Sequence, residues 1–133
     1  MKESILSIAQ WHKDMFPDAT LDGQRLKWME EKREWKESLR PVTKDLVCGD
    51  VKELADMFIV ACGLTRFSDA EAMFCFSSVV RELCSSLFTT SDLENAIDKK
   101  MEHNRARIWE KQANGSYHHI ADISKKAEQK DVK

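Results

Sequence analysis

Two acidic side chains stand where this chain otherwise calls for a buried helix. Met57 to Cys62 is an apolar run, and Glu53 and Asp56, three positions apart, mark its entrance. On an α-helix that spacing puts both carboxylates on one face. A second pair, Glu31 and Glu34, repeats the spacing inside WMEEKREWKES. Two such helices facing each other would gather four carboxylates, and like charges about 5 Å apart repel by roughly 3 kcal/mol per pair at an effective dielectric near 20. A group of this kind must protonate, find cations or bind metal. Hard oxygen ligands suit Mg²⁺, particularly with a phosphate substrate completing its shell. Either pair alone also occurs on ordinary solvated helices. A competing stripe of Glu30, Glu34 and Glu37, at spacings of four and three, leaves the register of the first pair open on spacing alone.

The 133 residues include only four glycines and two prolines, which favours helices over a turn-rich β architecture and suits one domain. The expected fold is all-α, an antiparallel bundle of about five helices. The first runs from Ser4 to Phe16 and stops before Pro17; the second from Gln24 to Leu39, stopping before Pro41. Thr43 is read as the cap of a third helix reaching Leu64. The fourth covers Ala72 to Phe88 behind a Ser68-x-x-Glu71 capping box, and Ser91-x-x-Glu94 opens a fifth that continues through Trp109. The fourth is the most apolar, which predicts a central position or a subunit interface. Residues 1–113 are expected to form the domain and 114–133 a partly flexible tail.

A net charge of −2 gives no whole-chain footprint for nucleic acid or an anionic membrane. Cys48, Cys62, Cys75 and Cys84 have no C-x-x-C spacing and read as small apolar residues in a reducing compartment. Without a secretory signal pattern or a stretch of membrane-spanning length, a cytoplasmic location is expected. Gly-rich phosphate loops, G-x-S-x-G elbows and H-E-x-x-H motifs are all missing from the sequence.

Lys100, Asn104 and Arg107 fall at i, i+4 and i+7 and align in one row. Two cations and an amide so placed suit triphosphate oxygens, and equally suit a solvated helix end that complements the macrodipole. Arg105 is an alternative to Arg107 near the helix end. Trp28 and Trp35 lie close to Glu31, available for core packing or for stacking on a nucleobase. His12, on the apolar side of the first helix, reads as a hydrogen-bonded core histidine.

The order Glu30-Glu31-Lys32-Arg33-Glu34, then Glu53-Leu54-Ala55-Asp56 and an apolar run, resembles the MazG-like all-α nucleoside triphosphate pyrophosphohydrolases. Their signature is Glu-Glu-x-x-Glu on one helix and Glu-x-x-Asp on the next. KMEHNRARIW is similar to the Lys, Asn and Arg pattern that these proteins carry on a later helix. The resemblance covers roughly Ile8 to Trp109. It implies Mg²⁺, with Mn²⁺ as a substitute, held between the second and third helices by Glu31, Glu34, Glu53 and Asp56. It favours Glu31 over the competing stripe and leaves Glu30 solvated, paired with Lys27 or Arg33. Catalytic roles fall to Glu34, Glu53 and Lys100, with Asn104 and Arg107 joining Lys100 on the phosphates. Water would attack the α-phosphorus and release pyrophosphate. Dimers or tetramers are also implied. Trp109 followed by Tyr117, His118 and His119 resembles a dATP/dGTP diphosphohydrolase subset in which the tail closes over the nucleotide. A non-catalytic adaptor that oligomerises through the fourth helix uses the same residues, but predicts no Mg²⁺-dependent stabilisation.

Overall fold

The computed structural model describes residues 1–111, Ala113 and 117–122. Its five helices are α1 (Ile5–Met15), α2 (Leu21–Ser38), α3 (Val51–Leu64), α4 (Asp69–Cys84) and α5 (Thr90–Ala106). Two antiparallel hairpins accompany them. Strand β1 (Arg40–Thr43) pairs with β2 (Leu46–Cys48), and β3 (Arg107–Lys111) with β4 (Tyr117–Asp122). The chain is therefore mostly helical, with small hairpins where the sequence reading extended helices.

The helix at the centre is α3, against which α1, α2, α4 and α5 all pack. Its apolar run explains this: Leu54, Met57, Cys62 and Leu64 are completely or almost completely buried. α2 lies antiparallel to α3, since Gln24 bonds the Val60 carbonyl while Trp35 covers Gly49. A Cβ on Gly49 would come within 2.5 Å of the Trp35 ring, so glycine is needed for that approach. Arg25–Glu71 and Trp35–Glu82 contacts tie α2 to α4 at both ends, and these two helices run the same way.

Of the two positions expected for α4, central or at a subunit interface, the central one is taken by α3. Helix α4 buries Ala72, Cys75, Ser78 and Val79 but leaves Met73, Phe74 and Val80 more than half exposed. Its apolar residues exceed what one contact face on α3 can cover.

Boundaries moved for local reasons. Thr20 caps α2 by accepting from the Gly23 amide, so Asp22 and Gly23 form a first turn rather than a loop. Residues 40–48 do not join α3: Pro41, Val42, Thr43 and Val47 favour extended backbone, and Asp50, accepting from the Lys52 amide, is the actual cap. Ser68 caps α4 as expected, accepting from Glu71, while the Glu71 carboxylate turns to Arg25 instead of closing the box. At α5 the reciprocal box is Thr89 with Asp92, two residues before the Ser91 and Glu94 pattern. α5 then ends at Ala106, and Trp109 belongs to a strand.

The β3–β4 hairpin spans the boundary expected at residue 113. The tail from 123 onward, and the side chains of Tyr117, His118 and His119, lie outside the described residues. Among those described, no helix is long and apolar enough to cross a membrane. Cys62 and Cys75 are buried, and burial pushes their thiols up to about 12 and about 11, which keeps them un-ionised and inert.

Candidate metal centre

The antiparallel run of α2 against α3 brings the two acidic pairs together. One carboxylate oxygen from each of Glu31, Glu34, Glu53 and Asp56 lies within 4.8 Å of the others. Two lysines flank the group: Lys27 Nζ is 3.2 Å from Glu31 Oε1, and Lys100 Nζ is 3.2 Å from Asp56 Oδ2. Two cations against four carboxylates leave the cluster short of positive charge.

The shortfall is visible in the protonation behaviour. Burial, then the charge of Asp56, pushes the Glu31 carboxyl up to about 8. Burial, followed by Asp56 and Glu34, pushes Glu53 up to about 7. Asp56 is also raised by burial, with Lys100 opposing the shift. Desolvation and like charge act together, and both favour the neutral acids until a cation arrives.

These residues fit a divalent cation. Glu31 is only 6% exposed, yet its Oε2 has no hydrogen-bond partner among the described residues, and neither has the buried Oε2 of Glu53. Buried carboxylate oxygens without partners are costly, and both belong to the cluster. An all-oxygen set of carboxylates suits a hard divalent cation better than a soft one.

The cluster lies in the wall of a cavity of about 390 Å³. Lys100, Asn104 and Arg107 all line it. Arg107 stands just past the end of α5 at its C-cap, where its Nη1 donates to Asn104 Oδ1 at 3.3 Å. The alternative cation, Arg105, instead makes a two-point contact with Glu3 at 3.0 and 2.9 Å. Glu30 also lines the cavity, 3.7 Å from Lys27, and is less solvated than expected; Glu37 is exposed and takes no part in the acidic group.

The opposite end of the cavity is aromatic, and of its residues only Trp109 was singled out from the sequence. Trp11, Phe16 and Trp109 pack edge to face, with centroids 5.2 to 5.9 Å apart. Trp109 Nε1 donates to the Asn104 carbonyl, whereas the buried Nε1–H of Trp11 has no acceptor among the described residues.

Beneath them, His12 is buried and held down to about 4 by desolvation and the Arg66 charge. Its Nδ1 accepts from Arg66 at 2.7 Å, so Nε2 carries the proton and donates to Gln24 Oε1 at 3.0 Å. Gln24 Nε2 in turn donates to the Val60 carbonyl. The histidine is satisfied, as expected, although its network forms part of the cavity floor.

Trp28 and Trp35, read as core packing or as stacking surface, belong to the core cluster. Trp35 Nε1 donates to Glu82, and neither indole is among the described residues lining the cavity, which is what separates them from the equally buried Trp11 and Phe16. At about 100° per residue, Glu31 divides the α2 surface, with Trp28 and Trp35 to one side and Lys27 and Glu34 to the other. The cavity is on the second side. Lys27 was therefore legible from its i, i+4 spacing to Glu31, whereas nothing local in the sequence joins Trp11 to Trp109.

Neither a protein-family model, nor a curated protein, nor a solved structure matches this chain.

Proposed function

We propose that the chain is a metal-dependent nucleoside triphosphate pyrophosphohydrolase, related to the MazG-like family, that releases the nucleoside monophosphate and pyrophosphate. The observation that carries this reading is the pair of buried, unpartnered carboxylate oxygens on Glu31 and Glu53 within a four-carboxylate cluster. Lys100 and Arg107 beside the cluster, and an aromatic wall beyond it, give the same cavity groups suited to phosphate and to a planar base.

Glu31, Glu34, Glu53 and Asp56 would hold Mg²⁺ or Mn²⁺. Once bound, that ion polarises the phosphoryl oxygens and offsets negative charge on the leaving group. Glu53, or Glu34 beside it, takes a proton from the attacking water. The water oxygen bonds to the α-phosphorus as the α–β bridging P–O bond breaks, and pyrophosphate departs with the bridging oxygen. Lys100 supplies a point charge toward the departing phosphates and Arg107 a planar fork. Asn104 orients Arg107 through its side-chain oxygen.

Hydrolysis in ¹⁸O-labelled water tests the bond that is broken. The label should appear in the nucleoside monophosphate alone; label in pyrophosphate, or release of orthophosphate, would contradict attack at the α-phosphorus.

Self-association belongs to the same proposal. Met73, Phe74 and Val80 give α4 an exposed apolar face of the kind that a second copy would cover. A dimeric or tetrameric mass at micromolar concentration is expected, and a strictly monomeric mass would count against it.

A further inference from the structure

A second groove, of about 730 Å³, opens on the far side of Lys100 and Arg107, which line both it and the catalytic cavity. Its other polar side chains include Lys52, Lys99, His103 and Asp92. No carboxylate among the described residues pairs with Lys52, Lys99 or His103. Asp92 is already engaged as the reciprocal partner of Thr89 at the start of α5. The groove therefore presents unpaired positive charge beside the acidic cluster, with Lys100 and Arg107 common to both spaces.

Position along α3 supplies the direction. Val51 and Lys52 line the groove, Glu53 and Asp56 supply carboxylates, and Ile59 and Val60 lie in the cavity wall, Val60 being bonded to Gln24 beneath the aromatic end. From Lys52 to Val60 the helix rises about 12 Å. One helix thus presents, in order, a basic groove, a candidate metal cluster and an aromatic pocket. A nucleotide lying along α3 with its base against the wall of Trp11, Phe16 and Trp109 directs its phosphate tail along Lys100 and Arg107, which line both spaces, toward Lys52.

We infer that this groove is the receiving site for the polyphosphate end of the substrate and for the pyrophosphate leaving group, with Lys52, Lys99 and His103 as its anion-binding side chains. This rests on the proposed hydrolase reading. Pyrophosphate with its multiple charges gains from several separated cations, whereas the nucleoside monophosphate, bound through its base end, does not reach them. The groove thereby discriminates by the number of phosphates and governs release of the second product.

The test is calorimetric titration of inorganic pyrophosphate, and separately of nucleoside monophosphate, into the full chain with Mg²⁺. Lys52→Ala/Lys99→Ala is compared with Lys52→Arg/Lys99→Arg. Both lysines are exposed, so neither variant threatens the core. The alanine pair should weaken pyrophosphate at least tenfold and leave monophosphate within about twofold, and the arginine pair should restore pyrophosphate binding. In turnover the alanine pair should raise KM for the triphosphate more than it lowers kcat. Equal pyrophosphate affinity in all three proteins, or no pyrophosphate binding by the wild type, would overturn the inference. If the wild type hydrolyses no nucleotide yet loses pyrophosphate binding in the alanine pair, the hydrolase reading fails and the anion groove stands.

Discussion

Replacing Glu31 with glutamine should make the metal-free protein more stable while destroying its response to Mg²⁺. Glu31 titrates near 8 in the fold against an ordinary 4.5, so the folded state binds the extra proton and stability is lost as pH rises from 4.5 through 8. Between those values at pH 7.5, ionisation costs the fold on the order of 4 kcal/mol before relaxation of the cluster. Loss of the Lys27 contact and reprotonation among Glu34, Glu53 and Asp56 offset part of the gain. About 2 kcal/mol should survive, which for a domain of this size is a rise in melting temperature of roughly 5–10 °C. Urea denaturation at pH 5 and pH 8, with EDTA and with Mg²⁺, reads both effects. The variant should gain at pH 8, gain little at pH 5, and show no Mg²⁺-dependent shift where the wild type is stabilised. Equal stability of variant and wild type at pH 8 in EDTA would refute the idea that the cluster stores repulsion.

Other outcomes follow from the same geometry. His12, held down to about 4 against an ordinary 6.5, contributes stability that is present above 6.5 and lost as pH falls through 4. Glu31 and Glu53 together outweigh this single group, so the metal-free protein should lose stability as pH rises above about 5, and urea midpoints that rise monotonically to pH 8 would be inconsistent with this balance. Trp11→Phe shrinks the aromatic wall of the cavity and should raise KM by about tenfold, whereas Trp28→Phe should lower stability and leave KM unchanged. A reversed pattern in steady-state kinetics would return Trp28 to the substrate. Gly49→Ala drives a methyl to within 2.5 Å of the Trp35 ring and should cost about 1–3 kcal/mol in chemical denaturation.

What could be read from the chain was what helical periodicity encodes. Glu31, Glu34, Glu53, Asp56, Lys100 and Asn104 each reach the cavity because a spacing of three or four fixes a shared helix face. Ser68 was legible as a cap because its hydroxyl has a local target, the Glu71 amide. Where two local solutions compete, the sequence alone does not choose. Thr89-x-x-Asp92 and Ser91-x-x-Glu94 both satisfy the capping pattern, and Thr43 is as plausible a cap as Asp50 until Trp35 needs a glycine beneath it.

The aromatic end was illegible for a different reason. Trp11 and Trp109 meet only after α1, α5 and the hairpin beyond it are placed, and no local spacing encodes that contact. Trp28 and Trp35 looked eligible because a core face and a cavity face adjoin at Glu31, and only the position of α3 tells one from the other.

The most direct test of the central claim is pyrophosphate release from a panel of canonical and modified nucleoside and deoxynucleoside triphosphates. It compares the wild type with Glu53→Gln and Asp56→Asn, in Mg²⁺ and in EDTA. Release by the wild type in Mg²⁺, abolished by EDTA and reduced at least a hundredfold in both variants, is the predicted result. No release from any nucleotide, or release indifferent to the metal and to both substitutions, would contradict it and leave the four carboxylates as a structural feature of a helical adaptor.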